Sequence, residues 1–151
     1  PARKQMELAV KALVVPHLRS LGFKGSMPHF RRQSEGKADL LTFQFNLYGG
    51  SFVVELSVCS EADIAAHWRA DLTLKNVTAH DMNFRQRLGS THQSSDHWFV
   101  YGKKNHEPGH EAIESTAHYE RIASEVANLV ESQAINWWAT HAGCLSQQSK
   151  A

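Results

Sequence analysis

The residues His106-Glu107-Pro108-Gly109-His110 spell H-E-x-x-H. At that spacing one helical turn sets two imidazoles on a common face to hold zinc, and the glutamate deprotonates the metal-bound water. The intervening Pro-Gly works against such a turn, because proline in a helix interior costs about 3 kcal/mol and glycine about 1 kcal/mol relative to alanine. Pro108 is better suited to the first turn of a helix that follows, which leaves His106 outside it. Glu114, His118 and Glu131 are available as a third ligand, and no spacing singles one out. A zinc-dependent hydrolase built on this segment is therefore the alternative reading. The plainer one is a loop leading into a helix, with exposed imidazoles.

Arg85 and Arg87 flank Gln86, so an extended backbone points both guanidinium groups the same way, toward a carboxylate or a phosphate. Together with His29, Arg31 and Arg32 they could form a basic patch. The ordinary reading pairs one arginine with a local acid such as Asp81 or Asp96 and leaves the other solvated. Trp98, Phe99 and Tyr101 read more simply as core than as a base-stacking platform, so no nucleic-acid partner is expected. Trp137-Trp138 are about 100° apart on a helix, and one of them is expected to be exposed as a possible anchor for a partner.

No G-x-S-x-G elbow, phosphate loop or dinucleotide glycine pattern is present, so neither a catalytic residue nor a cofactor or metal is expected. The 10 histidines are dispersed rather than clustered, and they make the charge sensitive to pH near neutrality. Cys59 and Cys144 are too few for a disulfide framework and are expected as free thiols, Cys59 as a buried small residue. With 16 basic and 15 acidic residues, nothing global draws the chain to polyanions. No run approaches the roughly 18 apolar residues of a membrane span, and Pro1–Gln5 carries no signal-peptide pattern, so no membrane partner and cytoplasmic residence are expected.

The elements that position these residues are centred on Leu41–Val58, two alternating halves joined at Gly49-Gly50. A two-residue turn there sets Leu47 opposite Phe52, Phe45 opposite Val54, Phe43 opposite Leu56 and Leu41 opposite Val58 on an oily face. Asn46/Val53, Gln44/Glu55 and Thr42/Ser57 fall on the other, mostly polar face. His29–Gln33 reads as a further strand turning at Ser34–Lys37, with Phe30 opposite Leu41, and with His29 and Arg31 on the polar side.

Met6, Val10, Leu13, Val14, Leu18 and Leu21 form a helical stripe that Pro16 should bend or divide and Gly22 should end. Phe23–Pro28 reads as a connection, Ala62–Trp68 as a short helix and Asp71–Leu74 as a brief edge strand. Asn76–Ser95 is polar and without period. His97–Tyr101 is a strand apolar on both faces and therefore central or covered, so the polar face should be partly roofed, by the segment holding Arg85 and Arg87. A long helix is expected from about Glu111 to Thr140.

Leu21-Gly22-Phe23-Lys24, His29-Phe30-Arg31-Arg32, Phe43-Gln44, Gly49-Gly50-Ser51-Phe52 and Phe84-Arg85-Gln86-Arg87-Leu88-Gly89 followed by Trp98 resemble, in that order, a bacterial family. It is the uncharacterised "domain of unknown function" family numbered 4304, and the resemblance spans roughly residues 8 to 140. It implies a small α+β domain and assigns no catalytic residue.

The expected fold is a single α+β domain over residues 1–146, followed by a disordered tail at 147–151. Its antiparallel sheet has about four to five strands, with an N-terminal helix and a long C-terminal helix packed on one face. The expected function is a non-enzymatic protein-binding domain, with an immunity-type protein that neutralises a toxin as one form of it. A small-ligand domain is a further alternative. The expected contact residues are His29, Arg31, Gln44, Asn46, Glu55, Arg85, Arg87 and Trp98, and changes at Gln44, Asn46 or Glu55 are expected to spare the fold.

Overall fold

The N-terminal apolar stripe is divided at Val14 into α1 (Ala2–Leu13) and α2 (Val15–Ser20). Pro16 lies in the first turn of α2, where a missing N–H breaks no helical bond. Gly22 follows at φ +96°, and Gly22 N and Phe23 N donate to Arg19 O and Leu18 O to close the helix end. The structure, a computed structural model, describes residues 1–145, and the expected disordered tail lies outside them.

The sheet is antiparallel and 6-stranded. Strands β1 (Lys24–Ser26), β2 (His29–Ser34), β3 (Lys37–Phe45) and β4 (Ser51–Ser60) lie in chain order. The outer edge of β4 is shared by two short strands, β5 (Gln86–Arg87) and β6 (Phe99–Val100). Phe30 pairs with Leu41 as the alternation requires.

In the β3–β4 hairpin, Phe45 pairs with Phe52, Phe43 with Val54 and Leu41 with Leu56, two residues away from the expected register. A longer loop causes the slip. Asn46 N donates to Ser51 O, Gly49 N donates to Asn46 O, and Leu47 and Tyr48 stand exposed at the tip. Because side chains alternate with period two, a slip of two leaves every paired residue of β3 and β4 on its expected face, whereas Leu47, expected opposite Phe52 on the oily face, is lost to the exposed loop.

Helices α1, α2 and α4 (Thr116–Leu129), a π turn (Val130–Ala134) and α5 (Ile135–Thr140) cover the oily face. Met6, Val10, Leu18, Tyr119, Val126 and Val130 meet Phe30, Phe43, Phe52 and Leu56 there. The last helix begins at Thr116, not near Glu111, so Pro108 is outside its first turn.

Trp137 and Trp138 are both buried, against the expectation that one would be exposed. Trp138 lies 4.7 Å from Phe23 and donates from Nε1 to Leu40 O. Trp137 stacks 5.8 Å from Phe84 and donates to Gln86 Oε1. The sheet and the Phe84–Ser90 segment cover α5 from two directions, so a 100° separation no longer forces one ring into water.

The second face is roofed along half its length. Ala38, Leu40 and Cys59 pack against Leu72, Val77, Ala79, Met82 and Cys144 in a second apolar cluster, with Ile64 and Phe84 at its margin. The roof is α3 (Glu61–Ala66), capped reciprocally by Ser60 and Asp63, with a 3-10 turn at Ala79–Asp81 and the chain around them. Asp63 also accepts from Cys144 N and Leu145 N, which ties the end of the described chain to this layer.

Four further expectations are corrected. Phe23–Pro28 contains β1, and Asp71–Leu74 forms turns rather than a strand, with Asn76 bonded to Thr73 N and Asp71 O. The expected central strand His97–Tyr101 is the edge strand β6: Phe99 and Tyr101 are buried, whereas Trp98 and Val100 are exposed. The roof is chiefly the Leu72–Phe84 chain, with Arg85 and Arg87 at its margin.

Candidate functional site

Across the second face, at the margin of the roof, the pairing sets His29 (β2), Thr42 (β3), Glu55 (β4) and Arg87 (β5) in one row. At about 4.8 Å between strands the row is ~14 Å long. On one side of it lie Leu40 and Ala38 under the roof; on the other, Gln44 pairs with Val53 and Ser51 with Val100, toward the open half. The row is thus the boundary between a second core and a half in which Gln44 and Val100 are exposed while Val53 and Ser51 stay buried.

Glu55 is the centre of the row and is 3 % exposed. Arg85 Nη1 donates to its Oε2 at 2.8 Å, Arg87 Nε lies 3.2 Å from Oε1, and His80 Nε2 is 3.8 Å from Oε2. A carboxylate this enclosed needs such partners, since an unpaired buried charge costs several kcal/mol. The alternation Arg-Gln-Arg does what the sequence implied, sending both guanidinium groups to one side, and the carboxylate they meet is 30 residues away in the chain. Arg87 also reaches Asp96 at 3.3 Å and lies 5.6 Å over the Trp98 ring. Gln86, the residue between, turns the other way to Ser90 O and Trp137, and Gln133 holds Gly89 N and Ser90 O. The helical layer therefore fixes the segment that carries the arginines.

At the other end, His29 Nδ1 meets Thr42 Oγ1 at 2.9 Å, and its ring stands edge-on to His80 with centroids 5.5 Å apart. Burial, then the neighbouring His80, hold His29 below the ordinary imidazole range; Arg31 acts the same way and Asp81 opposes them. Arg31 reaches under the roof to Val77 O through Nε. Asp81 caps its own 3-10 turn at Thr78 N and receives Arg69 Nη1 at 2.9 Å.

The structure thus gathers His29, Arg31, Glu55, Arg85, Arg87 and Trp98 around one margin, with the exposed Gln44 one step into the open half. It separates Asn46, which bonds Ser51 and Tyr48 within the hairpin loop and lines a different cleft of about 280 Å³ with Arg3, Tyr101, Lys103 and Asn105. His80, Thr42 and Asp81 belong to the site and were not among the expected contact residues. The spacing Thr78-x-x-Asp81 is a capping signature that could have revealed the turn carrying His80.

The H-E-x-x-H segment is a series of turns, not a helix. His110 Nδ1 faces Glu107 O, its Nε2 faces Glu111, and Glu107 accepts from Lys104 N, so the glutamate caps a turn in place of facing a metal. Among the described residues no group of three or more His, Cys, Asp or Glu side chains is arranged to hold a metal ion. Nor is any helix among them long and apolar enough to cross a membrane. Cys59 and Cys144 are free and buried, and burial pushes the Cys59 thiol up to about 12.

An antiparallel sheet with helices on one face, a partial roof on the other and a charged row at the roof's margin defines a small α+β domain. The chain belongs to the family described as a domain of unknown function, DUF4304, whose model matches residues 14–140. No curated protein and no solved structure matches it.

Proposed function

We propose that this domain is a non-enzymatic protein-binding module that docks its partner on the open half of the second sheet face. The observation that carries the reading is the exposed pair Trp98, 40 % accessible, and Val100, 65 % accessible, beside the arginine-framed Glu55. Tryptophan and arginine together are the residue types most enriched at the energetic centre of protein interfaces. The edge strands β5 and β6 and the residues just before them present these side chains beside one another.

The form of this function we favour is a bacterial immunity protein that covers the working site of a toxin. Such a protein needs a preformed face and no chemistry of its own. Both are compatible with a margin whose one buried carboxylate, Glu55, is held by Arg85 and Arg87.

Co-expression with a catalytically inactivated toxin candidate encoded beside its gene tests this. The two chains should co-elute on size exclusion, and Trp98→Ala should weaken the complex at least tenfold, about 1.4 kcal/mol, with the unfolding midpoint unchanged. Failure of every neighbouring candidate to co-elute, or a Trp98→Ala complex as tight as the parent, removes the reading.

A further inference from the structure

The arginines at the roof's margin are only partly committed. Arg85 bonds Glu55 through Nη1, Arg87 uses Nε toward Glu55 and Nη1 toward Asp96, and Arg31 uses Nε toward Val77 O. Each guanidinium carries five N–H donors in a planar fork, so each retains donors without an acceptor among the described residues. Their side chains are part-exposed, with Arg85 at 36 % and Arg87 at 25 %. The charged groups that face this margin are Arg31 and His29 from β2, Glu55 from β4, His80 and Asp81 from the 3-10 turn, Arg69 behind Asp81, Arg85 and Arg87, and Asp96 before β6. Arg31, Arg85 and Arg87 against Glu55 and Asp96 leave a local excess of one positive charge beside Trp98, and Arg69 with Asp71 and Asp81 balances it at the far end of the margin.

We propose that this margin is the docking site for an acidic segment of a protein partner, whose Asp or Glu carboxylates take the uncommitted N–H groups of Arg85, Arg87 and Arg31 while an apolar side chain packs on Trp98. This deepens the protein-binding reading and rests on it. Charge complementarity selects the occupant: guanidinium forks match carboxylates two bonds at a time. Glu55 and Asp96, held in the same cluster, offset much of the field that a phosphate dianion or a nucleic-acid strand would need. Docking of an anion beside His29 favours its charged form, so by linkage the partner binds more tightly as pH falls below 6.5 toward the lowered value of His29.

The test titrates the isotope-labelled full chain with a hexaglutamate peptide, following the arginine Nε–H and tryptophan indole N–H signals by NMR. Signals of Arg85, Arg87 and Trp98 should move and saturate at millimolar peptide, and hexaglutamine should leave them in place. Binding should tighten about threefold or more between about pH 7 and pH 5.5. It should weaken about fivefold or more in Arg85→Gln, whose backbone spectrum should otherwise be retained. Absence of shifts with hexaglutamate, equal shifts with hexaglutamine, or tighter binding of inorganic phosphate or an oligothymidine at the same atoms overturns the proposal.

The toxin complex separates this inference from the reading beneath it. A complex lost by Trp98→Ala and kept by Arg31→Gln/Arg85→Gln refutes the acidic partner alone. A complex kept by all the variants refutes both.

Discussion

Replacing Glu55 with glutamine keeps the shape of the side chain and one carbonyl acceptor, and removes the charge that Arg85 and Arg87 share. The carboxylate side chain is 4 % exposed and the two arginine contacts are 2.8 and 3.2 Å. A hydrogen bond to a charged group contributes about 1.5–3 kcal/mol and a neutral one about 0.5–1.5, so each contact loses about 1 kcal/mol. Water reaches the guanidinium groups and replaces part of that loss, while His80, at 3.8 Å, is beyond bonding distance. The expected cost is about 1–2 kcal/mol. Unfolding entropy of ~2.1 cal/mol/K per residue gives ~0.3 kcal/mol/K for a chain of 151 residues, and hence a fall in Tm of about 3–6 °C. Calorimetry of the parent, Glu55→Gln, Arg85→Gln and the double variant reads both the cost and the coupling, which should be about 1 kcal/mol. A fall below about 1 °C, or strictly additive single effects, would refute the claim that Glu55 anchors the arginines. The outcome also decides between the burial seen here and the expectation that Glu55 lies free on a polar face.

Trp137→Ala and Trp138→Ala should each cost about 3–5 kcal/mol in denaturant unfolding, Trp137 at the lower end; a neutral Trp137→Ala would show that the Phe84–Ser90 segment does not cover it. Gly50→Ala should cost about 2 kcal/mol or more, because Gly50 sits at φ +82° and a Cβ there would stand 2.8 Å from Gly102 O. Cys59 and Cys144, both with thiols raised by burial, should resist a thiol reagent in the native protein at mildly alkaline pH and react on unfolding; prompt native reaction of either contradicts the second core. His29, depressed from 6.5 in the folded chain, binds fewer protons there than when unfolded. Its contribution to stability is present above 6.5 and is lost as pH falls through its lowered folded value, so His29→Gln should flatten the stability profile below 6.5, and an unchanged slope would count against its burial.

How much of this could be read in advance depended on whether the interaction was local. The β2–β3 register followed from alternation around Glu35-Gly36, and the face of every β3 and β4 residue survived a two-residue slip because the error was even. The slip itself came from the loop, whose Asn46–Gly49 turn competes with a tight Gly49-Gly50 turn at no cost visible in the alternation. The His97–Tyr101 segment misled for a different reason. Apolar residues at Trp98 and Val100 read as a second buried face, whereas the edge position leaves them exposed. Periodicity reports side-chain type, not what lies opposite. The burial of both tryptophans was likewise hidden, since it depends on a segment about 50 residues earlier returning to α5.

The site was half legible for the same reason. The spacing of Arg85 and Arg87 set both on one side and Glu55 was placed on the right face, yet the ordinary reading paired one arginine with a local acid and left the other solvated, because nothing local joins them to Glu55. That junction also bears on why the polar row exists. Leucine at position 55 would extend the second apolar cluster and avoid the desolvation of a carboxylate, and a buried ion pair is often no more stabilising than the apolar side chains that could replace it. What the carboxylate supplies and leucine would not is direction. It draws one donor from Arg85 and one from Arg87, and leaves Arg87 over the Trp98 ring at 5.6 Å. The row therefore orders a surface whose groups would otherwise spread into water, and the helical layer reinforces it through Gln133, which pins the Gly89-Ser90 turn next to Arg87. Two layers on opposite faces of the sheet thus converge on the orientation of the same arginines, which is the preorganisation that the docking proposed above would use.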